Sequence, residues 1–361
     1  MKRIRFLDVA KGTAILGVVF SHTLHFSNDI FLNFKFFVGS YMVMLFYITS
    51  GYVYGMKQHC KISTKDYFLK QCSGLMIPYI FFSALQILID IVLVGTSNEG
   101  FVIATNLHGW KIVLGDIYKT ACFKGIGTLW FISSLFICNM IFHIQKKKKR
   151  TIVFDIVLLV FEGCVAYGIF LVLQTANKNS LVFEIMSAPF VVIGRALFAV
   201  PLMYVGYSVQ KYHAIFFDNE KVSFIWAGIF GTVAVALTLL FRGISPYDLN
   251  HLYIPKPHII YLLGITGSLF VLTLSYGLTK IVRISFLEKC SQCSMVIMCV
   301  HYPLRPFTDS FSYALLRIVN DGLAGYYEVV SFILLVVISL VVADFLQNRY
   351  PILVGRKRGR Q

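Results

Sequence analysis

Charge is scarce in this chain. Asp, Glu, Lys and Arg make up 14% of its 361 residues, and hydrophobic residues make up 57%. Soluble domains carry about 25% charged residues, so a soluble protein is excluded. Carboxylates are scarcer still, with 17 Asp and Glu against 33 Lys and Arg and a net charge of +16. In a soluble protein that excess would point to nucleic acid. Here the positive charge gathers in alternate breaks between apolar runs, so it reads as membrane topology, and no nucleic-acid partner is expected. No internal repeat, low-complexity segment or soluble domain interrupts the chain. Residues 1–361 therefore read as a single integral membrane domain. No small-x-small cleavage site follows the first apolar run, so that run is expected to be retained as a span. The eight cysteines are scattered, and only Cys122 falls in an outer break, which excludes an intramolecular disulfide there. Cys290-x-x-Cys293 has no second pair, so no metal site is expected.

What remains is a succession of apolar runs. Ten candidate spans follow: Gly12–Phe26, Phe36–Met56, Leu75–Gly95, Thr128–Ile144, Ile152–Leu173, Ser187–Val209, Val222–Phe241, His258–Thr279, Cys290–Leu304 and Val329–Leu346. A span needs about 20 residues. The first and ninth are short, and each can lengthen at its inner end, through Ile4–Ala10 and Ile284–Leu287. The expected fold class is an all-α polytopic membrane helix bundle of about ten transmembrane helices with both termini cytoplasmic.

Orientation follows from Lys and Arg. The N-terminus, the even breaks and the C-terminus hold 23 of them, and the odd breaks hold nine. The richer set belongs in the cytoplasm. The runs "KKKKR" at 146–150 and "GRKRGR" at 355–360 are its strongest markers. Basic residues beside a membrane also hold anionic lipid headgroups or a phosphorylated cosubstrate. The longest breaks, Thr96–Gly127 and Arg242–Pro257, lie outside. The first contains "WKIVLGDIYKTACF", an interfacial-helix pattern. Long loops of this kind suit a large external substrate.

Ionisable groups inside spans mark function by default. They are His22, Asp90, Glu162, Arg195 and His301, with Asp8 and Lys11 at the inner boundary. Lys11 and His22 are eleven residues apart, about 16 Å along a helix and within about 20° of the same face. Asp8, three residues before Lys11, shares that face. One stripe thus runs from the cytoplasmic edge towards the outer half. Histidine accepts and donates protons near neutral pH. The bland alternative is a snorkelling Lys11 and a packing His22. His25 sits nearer the interface, where a polar side chain costs little. His301 lies at a depth similar to that of His22, so the two can face one cavity. Arg195 needs a carboxylate or a wet cavity, and Asp90 and Glu162 are its candidate partners.

These residues resemble the acyltransferase 3 family of membrane acyltransferases. Its opening pattern is Leu-Asp, two residues, Arg or Lys, Gly, nine residues, His. "LDVAKGTAILGVVFSH" matches it through Asp8, Lys11, Gly12 and His22. "FYITSGYVYG" (46–55), "LMIPYIFFS" (75–83), "LWFISSLF" (129–136), "FAVPLMYVGYSVQKY" (198–212) and "VIMCVHYPL" (296–304) are similar to later family segments in the same order.

The resemblance implies transfer of an acyl group, often acetyl, from cytoplasmic acetyl-CoA or another acyl-CoA to a hydroxyl of a glycan or lipid-linked sugar. It makes His22, Lys11 and Asp8 the catalytic set, with Lys11 engaging the donor. Arg195, His301, Ser50, Trp130 and Lys70 become weaker substrate- or donor-binding positions. The implied setting is the plasma (bacterial inner) membrane, multi-pass and in contact with membrane lipids. The family's arginines before the third-helix Pro-Tyr are replaced here by "KQCSGLM", leaving Lys70 with Gln71, Ser73 and Gly74. Lys65, Lys70 and the 146–150 run are the remaining donor contacts. No Ser-His-Asp arrangement is visible. The alternative function is a transporter or flippase of a glycan or lipid-linked sugar without covalent chemistry, which would use the same buried charges as a path. The absence of an internal repeat weighs mildly against it.

Overall fold

A computed structural model of the chain describes residues 4–25, 29–102, 107–148, 150–175, 181–242 and 247–356. Its described residues are helical throughout, with no strand and a single isolated bridge between Asp248 and Tyr253.

The chain starts with α1 (Arg5–Thr23) and α2 (Asp29–Met56). α3 (Thr64–Gln71) passes through a π-helical turn, Cys72–Met76, into α4 (Ile77–Gly95). α5 (Trp110–Ala121), α6 (Trp130–Lys147), α7 (Ile152–Thr175) and α8 (Leu181–Lys211) follow. The short α9 (His213–Phe217) leads to α10 (Glu220–Phe241) and α11 (Pro257–Ile281). α12 (Ser285–Gln292), α13 (Ser294–Val319) and α14 (Tyr327–Arg349) complete the bundle.

Eight of the described helices are long and apolar enough to cross a membrane: α2, α3–α4, α6, α7, α8, α10, α11 and α14. The first and ninth expected spans, α1 and α13, are too polar to qualify. They carry Asp8, Lys11 and His22, and His301, Arg305, Asp309 and Arg317. α1 packs inside the bundle, against α2, α11, α12, α13 and α14, whereas α13 is buried mainly in its first half, around His301. A helix that faces protein rather than lipid can hold such groups. α7 and α10 form the rim, since only 17% of each apolar window is buried, against 72% for α11.

Three expected boundaries move. The third span begins at Thr64, because Ser63 caps α3 by accepting from the Asp66 amide and the helix continues through the π turn. The sixth begins at Leu181, with Pro189 and Pro201 tolerated inside it. The helix expected to extend the ninth through Ile284–Leu287 is present as α12 (Ser285–Gln292), but it is separate from α13. The chain breaks at Cys293 (φ −98°, ψ 1°), and α13 runs outward to Val319. The Arg305–Asp309 pair at 3.1 Å and a bond from Ser331 to Asp309 at 2.5 Å balance the charges that seemed to end that span. The interfacial helix expected in the third break is α5, which exposes Trp110, Leu114 and Ile117. Phe26, Lys149 and residues 357–361 lie outside the described residues.

Small residues set the closest approaches, as they do where membrane helices pack backbone to backbone. A Cβ on Gly51 would lie 1.9 Å from the Met203 carbonyl oxygen, and one on Gly206 would lie 1.8 Å from that of Ile48, which locks α2 to α8. A Cβ on Gly12 would lie 2.1 Å from the Leu287 carbonyl oxygen, so α12 rests directly on α1. Arg5 pairs with Glu288 at 2.9 Å, and Arg356 donates to the Gln292 carbonyl at 2.8 Å. Both ends of the described chain therefore meet at one end of the bundle, the Arg5 end. His22 lies at the other.

Candidate functional site

α1 connects two cavities. At the Arg5 end, Ile4, Arg5 and Phe6 line a cavity of about 380 Å3 with Tyr52, His213, Tyr276, Thr279 and Lys280. At the other end, Ser21 and His22 line a larger one of about 800 Å3. Between them, Asp8 accepts a hydrogen bond from Ser291 at 3.2 Å. Lys11 is half-buried and makes no hydrogen bond or ion pair among the described residues.

His22 faces two rings of α13. Its centroid lies 5.5 Å from that of His301 and 5.2 Å from that of Tyr302. His301 is fully buried, and its Nδ1–H donates to the Ile297 carbonyl at 2.7 Å. A carbonyl only accepts, so the neutral ring keeps its lone pair on Nε2. That nitrogen is buried without a partner among the described residues. The charged side chains acting on His22 are Arg305, Lys35 and Asp248.

Besides α1, Lys119 of α5 and Arg242 after α10, four places supply the walls of the larger cavity. One is the start of α2, with Lys35, Phe36 and Gly39. A second is the Gly125–Trp130 turn. Gly125 (φ +78°) and Gly127 (φ +50°) adopt left-handed backbone, and Thr128 donates to the Met298 carbonyl at 2.6 Å. The third is the loop from Tyr247 to His251. Tyr247 donates to the Gly39 and Ser40 carbonyls at 2.8 and 3.1 Å, and Asp248 bonds His251 at 2.6 Å and the Asn250 amide at 2.8 Å. Burial alone would raise the Asp248 carboxyl. The bond and charge of His251, with the backbone amides of Asn250 and His251, outweigh it and hold the carboxyl below its ordinary value. The fourth is α13, through Tyr302.

Arg195 ties two of these walls together. Its guanidinium donates to the Lys124 carbonyl at 2.8 Å and to the backbone and side-chain oxygens of Asn250, the latter at 3.0 Å. It lies 5.2 Å from the centre of the Trp130 ring. Neither expected carboxylate is its partner. Asp90 accepts from Gln86 at 3.0 and 3.1 Å, and Glu162 accepts from Gln145. Loop oxygens hold its Nη1 and Nη2 instead, and its Nε is buried without a partner among the described residues.

His22, His301, Trp130 and Arg195 thus converge at one end. Asp8 and Lys11 lie further along α1. Ser50 sits half-buried on α2 towards the Arg5 end. Lys70 also lies away from the cavity and donates to His59 Nε2 at 3.0 Å. Burial, with Lys70, Lys57 and His143 nearby, lowers His59 to about 4. Around it Tyr67 stacks on His143 at 4.2 Å, and Tyr54 bonds His143 at 3.0 Å. Of the basic run, Lys146 pairs with Asp155 at 3.0 Å and lies 3.9 Å from the Tyr204 ring centre. His25 bonds Glu328 through both its amide and Nδ1, at 2.6 and 2.8 Å.

Sequence reasoning missed Tyr302, Lys35 and the Tyr247–His251 loop. The length of the seventh break was the signal for the loop. Nothing in the sequence marked Tyr302 beyond its place beside His301. Among the described residues, no group of three or more His, Cys, Asp or Glu gathers as a metal site.

The fold and site define a multi-pass membrane protein with a histidine pair, half-buried His22 and buried His301, beside a large cavity. The chain belongs to the acyltransferase 3 family: the model of this acyltransferase domain matches residues 4–347, nearly its whole length. It is a membrane acyltransferase. No curated protein and no solved structure matches the chain.

Proposed function

We propose that the protein is an O-acyltransferase, of the O-acetyl type, moving an acyl group from cytoplasmic acetyl-CoA or another acyl-CoA to a hydroxyl of a cell-surface or exported glycan. The observation that carries this is His22 at the wall of the 800 Å3 cavity, 5.5 Å from His301. The family assignment favours an enzyme over a transporter.

In the proposed reaction, His22 takes the proton of the acceptor hydroxyl as its oxygen attacks the thioester carbonyl. The C–O bond forms, the C–S bond breaks, and the proton on His22 passes to the departing thiolate. The oxyanion of the tetrahedral intermediate needs a donor. Nη1 and Nη2 of Arg195 are committed to oxygens of the two loops, and its Nε is buried without a partner among the described residues, which leaves Arg195 a positioning role. Tyr302, with its ring 5.2 Å from His22, is the better-placed hydroxyl. The smaller cavity supports donor entry at the Arg5 end, where Arg5 and Lys280 supply cations and Tyr52 and Tyr276 supply rings. Lys11 would then meet the donor between the two cavities. The charge asymmetry supports the Arg5 end as cytoplasmic, and the family resemblance carries the plasma membrane as the setting.

The test is His22→Ala and His22→Gln in the full-length protein, assayed for acyl-CoA consumption and ester formation on surface glycan. Both variants are expected to insert at wild-type abundance and to lose at least about 100-fold in transfer, in line with removal of a general base. Wild-type ester levels in either would sink the role of His22.

A further inference from the structure

The outer face of this protein is depleted in positive charge. The odd breaks hold nine of the 33 Lys and Arg. Yet four of those nine, Lys35, Lys119, Lys124 and Arg242, line the one cavity that contains His22. Topology explains scarcity on this side, not convergence.

The balance within the cavity is also one-sided. Asp248 is the carboxylate among its described lining residues, and His251 and the Asn250 amide already occupy it. Lys119 is matched by Asp116 at 3.2 Å. Lys35 spends one proton on the Leu24 carbonyl at 2.6 Å, and the carboxylate acting on it, Glu328, lies outside the cavity lining and is already bonded by His25. Arg242 is exposed and makes no ion pair among the described residues. Cations around a low-dielectric cleft concentrate anions within it. The remaining lining suits a sugar: Phe36, Trp130, Tyr247 and Tyr302 supply aromatic rings, and a volume of about 800 Å3 lies in the upper part of the range of ligand pockets.

We propose that the acceptor is an anionic glycan, carrying a carboxylate or phosphate close to the hydroxyl that is acylated, with Lys35 and Arg242 receiving that charge. This rests on the acyltransferase reading in assigning the cavity to the acceptor. The cations would bring the hydroxyl to His22 by holding its anionic neighbour, so anion recognition acts as the orienting contact.

The experiment measures binding, which needs no transfer. Full-length wild-type protein and the His22→Ala variant are placed in phosphatidylcholine nanodiscs. They are titrated with tetragalacturonate and its neutral methyl ester, and with a glycerol phosphate tetramer and neutral tetraglycerol. At least one acidic probe is expected to bind about tenfold more tightly than its neutral partner, with the difference shrinking as salt screens it. Arg242→Glu, at an exposed site, and Lys35→Gln, which keeps a donor for the Leu24 carbonyl, are expected to reduce that preference several-fold. Neutral probes should bind these variants as they bind wild type.

Equal binding of acidic and neutral partners in both pairs overturns the proposal, as does a preference untouched by either variant. If about 30% phosphatidylglycerol in the nanodisc abolishes the preference at constant ionic strength, the anion is a lipid headgroup and the glycan proposal fails. Acidic-probe binding without acyl transfer from acyl-CoA would leave this inference standing and remove the acyltransferase chemistry. Efficient transfer to neutral acceptors, with no acidic preference, would do the reverse.

Discussion

The His22 and His301 rings face each other across 5.5 Å with 39° between their planes, one from α1 and the other from α13. His301 is locked by its bond to Ile297, and its Nε2 is buried without a partner among the described residues. That geometry suits a second proton-relaying or orienting ring rather than a packing residue.

His301→Ala is expected to lower acyl transfer by about 100-fold. His301→Gln carries its amide near the Nε2 position, whereas His301→Asn reaches only near Nδ1. Gln should therefore retain more turnover than Asn. Purified enzyme assayed for kcat checks the order. Equal losses accompanied by a common fall in thermal stability would assign His301 to packing.

Arg195→Lys keeps the charge but cannot span Lys124 and Asn250 together. The expected outcome is a loss of roughly 2 kcal/mol in stability, the scale of one charged hydrogen bond. The acceptor KM should rise more than kcat falls, because the bond holds cavity walls and not the reacting atoms. A pure kcat defect would argue for direct catalysis by Arg195.

Gly12→Ala places a methyl 2.1 Å from the Leu287 carbonyl oxygen. Backbone cannot yield as a side-chain tip does, so α12 must move and strain the Asp8–Ser291 bond. A loss of about 1–3 kcal/mol is expected, typical of overpacking. Thermal unfolding in detergent should show it, while Gly74→Ala, with nothing within 4 Å, serves as the neutral control.

His59 yields a pH prediction. Burial first, then Lys70, Lys57 and His143, lower its folded value from 6.5 to about 4. A lowered histidine favours the neutral ring, so its contribution to stability is full above pH 6.5 and declines as pH falls towards 4. His59→Gln should flatten that part of the stability-against-pH curve in denaturation measurements. An unchanged slope would remove His59 as its source.

Orientation is checked by labelling. Lys111→Cys in α5 and Lys148→Cys after α6 sit on exposed positions. An impermeant maleimide applied to intact cells should reach the first and not the second. Labelling in the opposite pattern would invert the assigned topology.

Much of this architecture was legible because lipid enforces it. Long apolar runs must become helices when no water satisfies the backbone, so the rim helices α7 and α10 appear nearly where composition puts them. The stripe from Asp8 to His22 was legible for a related reason. Helical periodicity is local, and eleven residues fix a face without knowledge of any neighbour.

The partners of buried groups were not legible, because pairing depends on which helices touch. Arg195 is held by carbonyls of two loops, and no pattern of charges announces a carbonyl. The outward run of α13 to Val319 depended on ion pairing within the helix and on Ser331 from α14. The cavity itself belongs wholly to the tertiary structure. Lys35, Lys124, Tyr302 and the pair Arg242 and Tyr247 come from four separate breaks and helices, and only packing brings them around His22. By itself the sequence determined a membrane helix bundle with a titratable stripe along its first helix. Packing decided what that stripe faces, because burial and charge balance arise between segments and not within one.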